Sequence, residues 1–249
     1  MMMMMDLRKG DCLEVMKGIE TGSIDAIITD PPYGTTACKW DSVIDFDLMW
    51  EQLNRIIKPN GAIVLFGSEP FSSALRMSNI KNYKYDWVWN KSSSSGFVNA
   101  KLKPMNTIEN VLIFSEGKTA NGSKNNMPYN PQGLIAYGKV TKNGASKKEN
   151  STFRENNKSK VGYIQAFTNY PRNYIAIPYQ KKAVHPTQKP VALMEYLIKT
   201  YTNENETVLD FTMGSGSTGV AAKNLNRNFI GIEQDEKYFD IASERINNG

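Results

Sequence analysis

The stretch that most constrains the fold is Asp210-Phe-Thr-Met-Gly-Ser-Gly-Ser-Thr-Gly219. An apolar run with β-branched residues, Thr207–Phe211, leads into it and predicts a strand. A small-residue segment, Gly216–Leu225, leaves it and predicts a helix. Asn228–Ile232 predicts the next strand, and Glu233 ends that strand 19 residues after Gly214. Glycines in a strand-to-helix turn let the chain bend tightly and let a ligand approach the backbone. An acid at the end of the next strand can accept both hydroxyls of a ribose. The pattern predicts a nucleoside cofactor and leaves NAD and S-adenosylmethionine (SAM) both open.

The same alternation runs along the rest of the chain. Ser23–Ile28 predicts a strand stopped by Pro31 and Pro32. Phe46, Met49, Trp50, Leu53, Ile56 and Ile57 keep helical spacing, which Lys58-Pro-Asn-Gly61 ends. Ala62–Phe66, Tyr85–Trp89 and Val111–Phe114 predict further strands, and Ser68 with Pro70 predicts a capped helix start. Pro190 opens a helix with Val191, Met194, Leu197, Ile198 and Tyr201 on one face. A last helix over 235–247 turns Tyr238, Phe239, Ala242 and Ile246 inward. The run Met1–Met5 predicts a frayed start. Such alternation argues an α/β fold with a mostly parallel twisted sheet and helices on both faces.

One segment breaks the pattern. Residues 117–160 hold eight Lys and one Arg against Glu149 and Glu155, a charge of +7; with +5 for the whole chain, the remainder carries −2. The segment is rich in Asn, Ser and Gly, with Tyr129, Tyr137, Phe153 and Tyr163 interspersed. A basic, polar insertion suits a phosphate backbone, from which Lys and Arg release counterions; a solvated loop that keeps the chain soluble is the plainer alternative. The division that follows is 6–116, an insertion over 117–184, and 185–249.

Asp30-Pro31-Pro32-Tyr33 follows the first predicted strand, where open α/β sheets bind their ligands. The prolines stiffen the backbone, Asp30 supplies a carboxylate acceptor, and Tyr33 supplies an aromatic face for a base. Here the sequence resembles the SAM-dependent amino-methyltransferases of DNA, which act on adenine N6 or cytosine N4. Asp30-Pro31-Pro32-Tyr33 resembles their catalytic motif. Phe211-Thr212-Met-Gly214-Ser215-Gly216 resembles their SAM motif, with Phe211 where Pro is usual and Thr212 where Phe is usual. His185-Pro-Thr187-Gln-Lys189-Pro190 resembles the stretch that closes over the methionine end of SAM, and Gly10-Asp11-Cys12-Leu-Glu14 the segment beside its adenine. The motif order is that of the beta subgroup, whose insertion is a target recognition region.

The resemblance implies a Rossmann-like SAM-dependent methyltransferase fold. Asp30, Pro31, Pro32 and Tyr33 are the implied catalytic residues. The implied cofactor residues are Asp11, Cys12, Thr187 and Lys189, together with Asp30, Asp210 and the run Phe211, Thr212, Gly214, Ser215, Gly216 and Ser217. Glu233 completes them, on the ribose. It implies N6 of adenine in double-stranded DNA, reached by base flipping, as the target. Cytosine N4 is the alternative, since adenine rests on Asp rather than Ser at position 30. Members of this subgroup often pair as homodimers, and a cognate restriction endonuclease would act separately.

Other classes fit less well. A nicotinamide oxidoreductase leaves Asp30–Tyr33 unexplained, and a non-catalytic DNA-binding protein would not need both motifs. Cytosine-C5 transfer needs a Pro-Cys nucleophile, whereas Cys12 follows Asp11 and Cys38 follows Ala37. A single histidine, His185, argues against a multi-His metal site. Two cysteines, no long apolar span and no signal-peptide pattern predict a cytoplasmic protein associated with DNA.

Overall fold

The computed structural model describes residues 3–34, 42–141, 163–179 and 188–248. Cys38, Lys147, Lys148, Phe153, His185 and Thr187 lie outside them. Ten strands and six α-helices occur among the described residues. The chain divides into two compact units, Pro131–Arg172 and all the rest.

The larger unit is built on an eight-stranded sheet. Its strands are β1 (Met5–Lys9), β2 (Ile24–Thr29), β3 (Ile57–Gly67), β4 (Tyr83–Ser95), β5 (Asn106–Phe114), β8 (Tyr174–Ala176), β9 (Thr207–Asp210) and β10 (Asn228–Glu233), in the order β1-β10-β9-β2-β3-β5-β4-β8. Every pairing is parallel except the two made by β5, which runs against both β3 and β4. The mostly parallel sheet expected from the alternation is therefore present, with one reversed strand.

Alternate side chains sort onto two faces, as the pleat requires. Ala26, Ile28, Ala62, Val64, Phe66, Val111 and Ile113 meet α4 (Val191–Tyr201), α5 (Ser217–Asn224) and α6 (Glu236–Asn248). Ile27, Ile63, Leu65, Leu112, Phe114 and Leu209 meet α1 (Cys12–Met16), α2 (Phe46–Ile56) and α3 (Phe71–Ser78). Strands buried on both faces give the unbroken apolar runs that made β2 and β3 legible. The helices obey the same logic. Asp45 caps α2, its carboxylate accepting from the Leu48 N–H at 3.0 Å. Met49, Trp50, Leu53 and Ile56 form the buried stripe of that helix.

Three local expectations change. Of the run Met1–Met5, expected to be frayed, Met5 instead opens strand Met5–Lys9, paired with Phe229–Glu233, and the Met4 carbonyl accepts from the Phe229 N–H at 2.9 Å. The cap of α3 is Pro70, not Ser68; the Glu69 carboxylate accepts from the Ser73 N–H at 3.1 Å and occupies the first turn instead. Tyr238 turns toward a cavity rather than the core.

Unit Pro131–Arg172 falls within the expected insertion 117–184, and the flanks of that insertion belong to the larger unit. It contains a hairpin of β6 (Ile135–Thr141) and β7 (Tyr163–Thr168). No described helix is long and apolar enough to cross a membrane.

Candidate active site

Strands β2 and β9 lie side by side at the middle of the sheet. From β9 the chain crosses through α5 to β10 on one side, and from β2 through α2 to β3 on the other. Their carboxyl ends thus form a topological switch point, where the diverging connections leave a crevice. A cavity of about 860 Å³ opens there, within the range that holds a nucleoside-sized ligand. Asp30 and Asp210, 180 residues apart in the chain, both line it.

Of the expected site residues that are described, all but Gly216 line this cavity. Gly216 faces away: a Cβ there would sit 3.0 Å from Ala242 of α6, so its role is close helix packing. Gly214, at φ +51°, has open space around it, which leaves the turn's backbone accessible from the cavity. Glu233 is held beside that turn. Its carboxylate accepts from the Gly214 N–H at 2.9 Å and the Asp235 N–H at 2.8 Å. Burial raises its pKa, but two of its roughly four lone-pair positions remain for a ligand. Asp11 follows Gly10, whose N–H donates to the Glu233 carbonyl at 3.0 Å, and it caps α1, accepting from Leu13 and Glu14 N–H groups at 2.9 and 3.2 Å. Burial pushes the neighbouring Cys12 thiol up to about 12, so it is a neutral wall atom and not a thiolate nucleophile.

Asp210 acts as a brace. It accepts from the Thr218 hydroxyl at 2.5 Å, from the Thr29 hydroxyl, and from the Thr212 N–H at 3.2 Å. Burial raises its pKa to about 6 against the effect of those donors. Thr212, where the resembled family usually has Phe, donates its hydroxyl to the Asp30 carbonyl at 3.1 Å. The glycine turn and the catalytic loop are therefore tied directly. Ser215 is fixed by Gln188 at 3.1 Å and by Arg245 at 2.9 Å.

Asp30 anchors a charge relay. The Tyr33 hydroxyl donates to one of its oxygens at 2.5 Å, and Lys189 pairs with the other at 2.5 Å. Lys189 also pairs with Glu109 at 3.2 Å, and Lys91 with Glu109 at 3.2 Å. Lys189 is 7% exposed and lies 5.1 Å from the Phe66 ring centre. The resemblance implies a place for it near the methionine carboxylate; the structure instead commits its ammonium to Asp30 and Glu109. Burial and the nearby Glu109 charge lift the Asp30 pKa, with Lys189 opposing them. Burial also works against the charge of Glu109, but Lys189 and Lys91 outweigh it and hold that carboxyl below its usual range. The Tyr33 ring stacks on Phe71, centroids 4.9 Å apart at 28°.

Sequence reasoning missed Glu109 and Lys91. Each is a single charge on a strand, and nothing local marks it; only the fold brings Glu109 to Lys189. Gln188 lies inside a recognised stretch and was within reach.

This crevice, with a glycine turn on one side and Asp-Pro-Pro-Tyr on the other, defines a nucleoside-cofactor group transferase. Residues 24–244 match the N6_N4_Mtase family model, described as DNA methylase, and the chain belongs to that family of DNA methyltransferases, whose methyl donor is SAM. It is 31% identical to the type II methyltransferase M.HinfI of Haemophilus influenzae, over 96% of this chain and 67% of that protein. The crystal structure of an M1.HpyAVI–SAM complex superposes with a TM-score of 0.61 at 29% identity, covering 97% of this chain and 100% of that one. The cytosine-N4-specific PvuII DNA methyltransferase shares the fold, with a TM-score of 0.65 at 18% identity over 96% of this chain and 85% of that one.

Proposed function

We propose that this methyltransferase transfers a methyl group to N6 of adenine in double-stranded DNA after flipping the base from the helix. The observation that carries the reading is Asp30 in the wall of the crevice, tied through Thr212 to the glycine turn. SAM fits the crevice by the open Gly214 backbone and by the remaining acceptor positions of Glu233, which would take the ribose hydroxyls. It supplies a methyl group already activated on a sulfonium. Asp11 and Cys12 would line the adenine end, and Phe211, Thr212, Ser215 and Ser217 would complete the lining. Thr187, outside the described residues, would join at the methionine end.

The protein's task is then to make a poor nucleophile act. An exocyclic amine has its lone pair delocalised into the ring. Asp30 would accept one N–H and the Pro31 carbonyl the other, favouring the pyramidal nitrogen whose lone pair is free. Both acceptors also stabilise positive charge as it grows there. Pro32 restricts the backbone that presents the Pro31 carbonyl. Tyr33, supported by Phe71, would stack the extruded base. Orientation for in-line attack supplies much of the remaining acceleration.

Adenine is favoured over cytosine by Asp rather than Ser at position 30. The hairpin of β6 and β7, within the basic segment 117–184, would read the DNA site. Homodimer formation and a separately acting cognate endonuclease complete the reading, in a cytoplasmic protein associated with DNA. The test digests DNA methylated by the purified chain and identifies the modified nucleoside by mass spectrometry. N6-methyladenine is expected; N4-methylcytosine alone would overturn the adenine assignment and leave the chemistry standing.

A further inference from the structure

Strands β4 and β5 extend beyond the sheet into an arm that the chemistry above does not use. Ser93, Ser94, Ser95 and Asn106, at its root, line the catalytic cavity. The root is tied across by the Ser94 and Thr107 hydroxyls at 2.8 Å, and to the loop before α3 by the Asn106 amide donating to the Ser68 hydroxyl at 3.3 Å. The tip is ordered by its own backbone. A 3-10 turn over Phe97–Asn99 follows Gly96, and the Asn99 carbonyl accepts from Leu102 and Lys103 N–H groups at 2.9 and 3.0 Å. That framework presents apolar side chains outward: Phe97 is 82% exposed, Val98 95% and Leu102 86%. Three such residues on one hydrogen-bonded tip form an exposed apolar surface of the kind that marks an interaction site.

Charge says what the partner is. From residue 92 to 108 the sequence has Lys101 and Lys103 and no acidic residue. A second copy of this chain, docked tip to tip about a two-fold axis, would bring like charges together. A polyanion would not. The root of the arm also lines the cavity that a target base must enter.

We propose that the arm is a duplex wedge: Phe97, Val98 and Leu102 enter the base stack of double-stranded DNA beside the target and fill the space it vacates, while Lys101 and Lys103 pair with flanking phosphates. Extruding a base sacrifices its stacking, and apolar side chains inserted between base steps offset part of that loss. The proposal rests on the base-flipping reading and adds the element that drives it.

The test uses the full chain and its Phe97→Ala, Val98→Ala, Leu102→Ala triple variant, whose changes lie on solvent-exposed positions. Each probe is a synthetic duplex carrying the site found by sequencing DNA methylated by the wild type, made with adenine at the target for transfer and, separately, with 2-aminopurine there for fluorescence, since 2-aminopurine has no 6-amino group to methylate. A second duplex leaves the target unpaired. On the matched duplex the variant should lose about ten-fold or more in single-turnover transfer, together with the fluorescence rise, because the cost of unstacking is no longer offset. On the unpaired target it should stay within about three-fold of wild type, since little remains to be unstacked. Equal loss on both duplexes, or no loss on either, would overturn the wedge. So would a change from dimer to monomer on sedimentation, which would mark a self-association face. A wild type that shows no fluorescence rise and transfers equally to both duplexes would sink base flipping itself, and the wedge with it.

Discussion

Asp30 meets two opposing influences, and its ionisation should report them. It must be ionised to accept from the target amine. Burial and Glu109 raise its pKa while Lys189 lowers it. The Glu109→Gln variant removes the acid that competes for Lys189, so the acid limb of the single-turnover rate should move to lower pH. Lys189→Met should move that limb to higher pH. Rate profiles of folded variants decide this, and an unmoved limb in both would detach the relay from Asp30. Asp30→Ala should reduce transfer by orders of magnitude while SAM binding, measured by calorimetry, largely survives. Tyr33→Phe keeps the face stacked on Phe71 and should retain much activity; Tyr33→Ala should weaken capture of the base by about 1–3 kcal/mol. A folded Asp30→Ala protein with a near-normal rate would remove this carboxylate from the mechanism.

Glycines of the same turn serve different elements. A Cβ on Gly219 would overlap Ile246 of α6 and lie 2.7 Å from Phe229 of β10. Gly219→Ala should therefore overpack α5 against its neighbours and cost about 1–3 kcal/mol, lowering the melting temperature. Gly214 has the opposite profile, with space for a Cβ but a left-handed φ of +51°. Gly214→Ala should cost about 1 kcal/mol of backbone strain and weaken SAM binding disproportionately, as the turn shifts. Melting curves beside SAM titrations separate the two. Asp210 couples β9, β2 and α5, and its pKa is raised from 3.8 to about 6. A raised carboxyl favours folding below its unfolded pKa and loses that contribution as pH rises through the folded one. The contribution, about 3 kcal/mol at two pKa units, should fade between about pH 4 and 6, and Asp210→Asn should flatten that slope in denaturant titrations.

The elements differ in how openly the sequence displays them. Strands β2 and β3 are buried on both faces and appear as apolar runs. Strand β1 carries Asp6, Arg8 and Lys9 among five residues, because its side chains are mostly half-buried at the edge of the sheet. Its alternation, Met5 and Leu7 facing the core between Asp6 and Arg8, is too short to stand out. The hairpin of β6 and β7 hides for a similar reason: Ile135, Tyr137, Ile164 and Phe167 are all exposed, so no core imposes alternation. The site followed the same rule. Motif residues contiguous in the chain were legible, whereas Glu109 acquires meaning only through Lys189, far along the sequence.

At the scale of the molecule, charge is divided as unevenly as chemistry. Residues 117–160 carry +7 and the rest −2. DNA affinity should fall steeply with salt, as counterions released from phosphates are restored. Replacing Lys147 and Lys148 by Gln should reduce the slope of log K against log salt by roughly two if both contact phosphates. Fluorescence anisotropy across a salt series measures it, and an unchanged slope would return the segment to a solubilising role.

The central pairing of β2 with β9 also sets a timetable. As the chain leaves the ribosome, β2 is complete by Thr29, but the neighbour that covers its edge ends at Asp210. Until then an apolar strand edge stays open, and β1 waits longer still for β10. Closing such distant pairs is slow, and the waiting edge invites pairing with another nascent chain. A fragment ending before β9 should therefore emerge as a client of holding chaperones rather than as a folded half. The arrangement that assembles one crevice from strands so far apart in the chain leaves the site unmade until β9 and β10 have been synthesised.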